Sequence, residues 1–166
     1  RITFDWHYEI SLKSGREGMI DSTTWFLAYY YPRIAVLDDY AGWDFNDHLD
    51  GREFYSDFND YKVTLHVPKN YLVWGTGTLL GAERVLQPEI LDRYRSAFNS
   101  DDVVRIVTKE DWQAKRVTAQ NAVNDWTFQS FNVPDAAFAM SDHFNWDGSS
   151  VVVDDKTGRR AGAYAA

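Results

Sequence analysis

Ile2, Phe4, Trp6, Tyr8 and Ile10 alternate with Thr3, Asp5, His7, Glu9 and Ser11, the strictest period-two stretch of the chain. Alternation of this kind predicts a half-buried strand over residues 2–10. Residues 14–18 follow as a turn in which Gly15 and Gly18 can take positive φ. Residues 23–29 are β-branched and aromatic and predict a second strand, antiparallel to the first. Tyr61, Val63, Leu65 and Val67 alternate with Lys62, Thr64 and His66 up to Pro68, which ends a further strand. Residues 71–74 continue in strand-like residues, and Gly75 and Gly77 predict a bulge or a close backbone approach.

A different period rules residues 88–98. Pro88 suits a first helical position, and Ile90, Leu91, Tyr94 and Phe98 make one apolar stripe, so this stretch predicts the chain's helix. Residues 103–107 predict a short buried strand, and residues 109–122 are polar and ambiguous, with room for a helical turn. Residues 124–131 return to alternation, Pro134 interrupts it, and the small residues of 136–141 predict a tightly packed interior strand. Residues 146–149 and 155–158 both read as hairpin turns, with a strand between them and a last strand or trailing linker over 161–166. Many short strands, one helix and no βαβ alternation predict an antiparallel all-β domain, a β-sandwich or saddle-like shape with one short helix.

Composition narrows the partners. The 166 residues suit one domain, and the start inside a strand pattern is expected to mark a piece of something longer. Seven Trp, ten Tyr and ten Phe supply rings that fill sheet faces or line sugar and peptide clefts. A net charge of −8 repels a phosphate backbone, so no nucleic acid is expected as partner. No apolar run reaches the roughly 20 residues of a membrane span. The lack of cysteine removes disulfides, thiolate metal sites and cysteine nucleophiles together.

The stretch that fits no strand pattern is 29–43. Tyr29, Tyr30 and Tyr31 run into Pro32 and Arg33, and an apolar tetrad leads to Asp38, Asp39 and the Gly42-Trp43 pair. Tyrosines, an arginine and carboxylates at a break between strands mark a candidate binding loop. The acidic stretch beyond it lacks the oxygen side chain and glycine that a calcium loop of the EF-hand type needs after Asp44 and Asn46, which leaves a solvated loop as the expectation. His7, His48, His66 and His143 lie far apart, with His7 and His66 on polar strand faces, and no His-Glu-x-x-His helix occurs. A glycoside-hydrolase carboxylate pair is poorly served, since Asp38 and Asp39 are adjacent and would face opposite sides, with Glu53 as the remaining partner.

Three stretches resemble the N-terminal β domain of M1-family (gluzincin) zinc aminopeptidases of bacterial type. They are residues 25–43 with the Tyr29-Tyr30-Tyr31-Pro32-Arg33 core, residues 51–68 running on to Gly77, and Trp126-Thr127-Phe128 with residues 132–146. The resemblance implies a non-catalytic, saddle-like scaffold domain whose partner is the catalytic domain of the same parent chain, with zinc held in that missing domain and not here. It also implies that one loop reaches a peptide-substrate cleft, where the family places a Gln or Glu; the matching positions here are Tyr29, Tyr30 and Tyr31. Arg33 is then expected to brace the loop by pairing with Asp38 or Asp39. The bacterial relatives suggest the periplasm, the cell envelope or secretion. A carbohydrate-binding β-sandwich using Trp43, Trp74 and Trp146 as platforms is the alternative.

Overall fold

The computed structural model describes residues 1–13, 15–47, 51 and 55–166. Strands dominate it, and every strand pair is antiparallel. β1 (Gly18–Asp21) and β2 (Thr24–Leu27) form a hairpin, and β3 (Leu37–Asp38) and β4 (Gly42–Trp43) form a second, minimal one. β5 (Asn59–Pro68), β6 (Leu72–Gly75) and β7 (Thr78–Leu80) precede α1 (Pro88–Ala97). β8 (Val104–Val107) and the short α2 (Lys109–Gln113) lead into β9 (Val123–Val133) and β10 (Phe138–Ser141), and the chain closes with β11 (Trp146–Asp154) and β12 (Arg159–Ala165).

The sheets follow the orders β1-β2-β10-β6, β5-β9-β7 and β12-β11-β8. Pro134 separates β9 from β10, and Thr76-Gly77 separates β6 from β7. The Thr76 N–H donates to Ala137 O at 3.0 Å across both breaks. Two neighbouring strands thus bend together and pass from one sheet to the next. β10 lies inside its sheet between β2 and β6, as its small residues predict.

Local chemistry explains the helices. Pro88 occupies the first turn of α1, where its missing N–H costs nothing, and Ile90, Leu91, Tyr94 and Ala97 are buried. Phe98 caps the helix instead of joining the core and is 41% exposed, its ring edge-on to Tyr94. In α2, Thr108 and Asp111 form a reciprocal capping box. Trp126, Leu72, Ile90 and Ile106 are fully buried at the centre of the core.

Two expectations are corrected. Residues 2–10 form no strand, and Phe4 and Trp6 are 57% and 51% exposed. Their alternation suits a sheet, but a strand also needs a neighbour; β2 pairs with β1 and β10 instead. Residues 146–149 are no turn either, because they open β11. Gly148 faces Tyr164 across β11 and β12, and a Cβ there would stand 2.7 Å from the Tyr164 ring. Here the glycine seats an aromatic ring over the strand. Residues 155–158 do turn the chain between β11 and β12.

Candidate functional site

The stretch after β2 is held by residues from both ends of the chain. Tyr29 adopts φ 58, a left-handed backbone that is uncommon outside glycine and that swings the chain out of β2. Its hydroxyl accepts from Arg16 Nη1 at 3.0 Å, and Trp6 Nε1 donates to Tyr30 O at 2.8 Å. The Tyr30 ring stands edge-on to Tyr31 at 4.9 Å and to Phe138 of β10 at 6.0 Å. Tyr31 Oη donates to Asp135 Oδ1 at 2.9 Å. Desolvation raises the hydroxyl pKa values of Tyr30 and Tyr31, with the Asp135 charge adding to it, so both stay protonated.

Arg33 braces this arrangement with a partner other than the one expected. Its Nη2 lies 2.6 Å from Asp135 Oδ2, at ion-pair distance but without hydrogen-bond alignment, and its Nη1 donates to Ser56 Oγ. The guanidinium carbon also lies 5.6 Å and 5.2 Å from the ring centres of Tyr29 and Tyr31. Asp38 instead accepts from Tyr55 Oη at 2.8 Å and pairs with Gly42 across the β3–β4 hairpin, and Asp39 occupies its turn. The loop geometry carries both aspartates into that separate hairpin, which corrects the Arg33–Asp38 or Arg33–Asp39 pairing.

Together these contacts shape an open recess of about 310 Å³, lined by Trp6, Tyr8, Glu17, Tyr29, Tyr30 and Tyr31. Glu17 is the residue that the sequence reading missed. It sits in the turn before β1, and its carboxylate contributes, after burial, to raising the Tyr8 hydroxyl pKa. The Glu17 carboxylate beside these rings can attract a cation, which would share the site with the Arg33 guanidinium already set against Tyr29 and Tyr31.

His66 and His143 take carboxylate partners. His66 Nδ1 lies 2.7 Å from Asp125 Oδ1 at a cross-strand position, and His143 lies between Asp142 and Asp21. Among the described residues, no group of three or more His, Asp or Glu side chains could hold a metal ion. His48 and Glu53, which entered the metal and hydrolase readings, lie outside the described residues. Trp146 is 3% exposed, packed on Tyr94 at 5.0 Å, and so cannot serve as a sugar platform beside Trp43. No helix is long and apolar enough to cross a membrane among the described residues.

A second cleft, of about 320 Å³, lies where β6, β7, α1 and β12 meet. Tyr164 Oη and Trp146 Nε1, both on residues of its lining, are buried without a hydrogen-bond partner. Burial pushes the Tyr164 hydroxyl up to about 12. A shielded hydroxyl without a partner carries a desolvation penalty of about 1–3 kcal/mol. Tyr164→Phe removes that penalty and keeps the ring over Gly148, so thermal denaturation should show an unchanged or higher Tm; a loss above about 1 kcal/mol would mean that the hydroxyl is satisfied in solution.

Comparison with protein-family models, with curated proteins and with solved structures finds no match for the chain.

Proposed function

We propose that this chain is a non-catalytic scaffold and substrate-cleft domain of an M1-like zinc aminopeptidase, and that its tyrosine recess receives the free amino end of a peptide. The observation that carries this reading is Glu17 beside Tyr29, Tyr30 and Tyr31 in one recess. A peptide amino terminus is an ammonium group. It can donate to a carboxylate and to tyrosine hydroxyl oxygens, and it is attracted by ring faces. The first and third stretches that resemble the family also meet here, through Tyr31 and Arg33 on one side and Asp135 and Phe138 on the other. Zinc and the hydrolytic step belong, on this reading, to the catalytic domain of the parent chain, with the periplasm, the envelope or the outside of the cell as the proposed location.

Two assays test it. The 166 residues alone should not hydrolyse aminoacyl fluorogenic substrates with or without zinc, and zinc-dependent turnover would sink the reading. In the product of the whole gene, Glu17→Gln should raise KM for such substrates roughly tenfold or more, the scale of a lost charge-assisted hydrogen bond. Unchanged kinetics would remove the recess from substrate binding.

A further inference from the structure

We propose that the cleft between β6–β7 and α1–β12 is a binding site for a small, flat aromatic molecule that carries no negative charge. Its lining is ring upon ring: Trp74, Tyr94, Phe98, Phe128, Trp146 and Tyr164 surround about 320 Å³. The cleft opens to solvent beside Thr78 and Phe98 and is walled mainly by rings, the concave and apolar surface that small-molecule sites present. It falls at the lower end of the range for small-molecule pockets, which suits a bicyclic ring system.

The shape and charge of the lining set the ligand class. Tyr94 packs on Trp146 at 5.0 Å, and Tyr164 contacts Phe98 at 5.6 Å and Trp146 at 6.2 Å, which fixes these rings against one another. A flat guest can continue the same edge and stacking contacts. Tyrosines are the titratable residues of the lining, and burial raises the hydroxyl pKa of Tyr94 and of Tyr164. The lining therefore carries no charge near pH 7, and an anionic guest would lose hydration with no opposite charge to replace it.

The cleft shares no lining residue with the tyrosine recess, so its failure would leave the peptidase reading untouched. The test is titration of the chain with indole and, separately, with indole-3-acetate, followed by two-dimensional ¹H–¹⁵N NMR. Indole should give saturable shifts at the amides of Gly75, Gly77 and Thr78, with Kd about 0.1–1 mM for a ligand of this size. Indole-3-acetate should bind at least about tenfold more weakly, since the lining offers its carboxylate no cationic partner. Thr78 is exposed at the lining, so Thr78→Trp should narrow the cleft without disturbing the core and weaken indole about tenfold. Phe98→Trp, at the partly exposed end of α1, is the second blocking variant and carries the same expectation. Absence of saturable shifts, equal binding of the acid, or unchanged indole affinity in a blocking variant with a native spectrum would each overturn the proposal.

Discussion

Asp111→Ala is expected to destabilise the fold by about 3–5 kcal/mol, the cost of breaking a buried ion pair from one side. The Asp111 side chain is 3% exposed and lies 2.7 Å from Arg93 Nη1 through Oδ2. The same oxygen accepts from Thr108 N at 2.9 Å and Thr108 Oγ1 at 3.0 Å, while Oδ1 lies 3.6 Å from Arg116 Nη2. Removing the carboxylate therefore uncaps α2 and leaves Arg93 without its buried partner. Glu89 also meets Arg93, at 2.6 Å, but from a 53% exposed position, so Glu89→Ala should cost no more than about 1 kcal/mol. For a chain of this length, Asp111→Ala should lower Tm by roughly 10 °C in calorimetry. Burial alone would raise the Asp111 pKa, but Arg93 and Thr108 more than offset it and hold the carboxyl below its ordinary value. Its contribution to stability is then fully present above the unfolded-state pKa, roughly 4, and is lost as pH falls through the lower folded value. Asp111→Asn should flatten that acid limb, and a Tm within about 2 °C of wild type for Asp111→Ala would refute the assignment.

Strand identity was legible wherever the local pattern and the pairing agreed. β5 and β9 alternate in sequence and pair with each other over most of their length. Pro88 and the apolar spacing behind it gave α1 for the same reason, since a helix closes its hydrogen bonds locally. Residues 2–10 alternate more strictly than either strand, yet nothing local states whether a neighbouring edge is available. Gly148 deceived in the opposite direction. An Asp-Gly pair is a turn signal only when no ring from the next strand needs the space above the glycine.

The candidate site was legible in part. The aromatic run 29–31 announced itself by composition, but its support did not. Asp135, which holds both Tyr31 and Arg33, lies beyond Pro134 and is 104 positions from Tyr31. Asp38 and Asp39 were nearer in sequence and equally acidic, so only the fold could choose between them. Glu17 was harder still. It stands in a Gly-flanked turn of ordinary composition, and the recess that gives it meaning is assembled from three separate segments, at Trp6, at Glu17 and at Tyr29.

Gly77→Ala is expected to cost about 3 kcal/mol or more, and no side-chain change elsewhere should recover it. Gly77 has φ 101, where an L side chain is strained, and a Cβ there would stand 2.4 Å from Gln129 O. That carbonyl belongs to β9, which pairs with β7 on one side and β5 on the other and cannot retreat without breaking the ladder. Gly75 offers the contrast within the same bend. Its Cβ would meet the Phe138 ring at 2.1 Å, so the obstacle is a side chain and Gly75→Ala should cost about 1–3 kcal/mol. Phe138→Leu frees that space. The double variant Gly75→Ala/Phe138→Leu should therefore be no less stable than Phe138→Leu alone, a non-additivity readable from urea denaturation. Phe138 also supports the Tyr30 ring, so Gly75→Ala should disturb the tyrosine recess from behind, whereas Gly77→Ala strains the bend of the ribbon itself. Full additivity at Gly75, or recovery of Gly77→Ala by Phe138→Leu, would show that the two glycines do not divide the bend in this way.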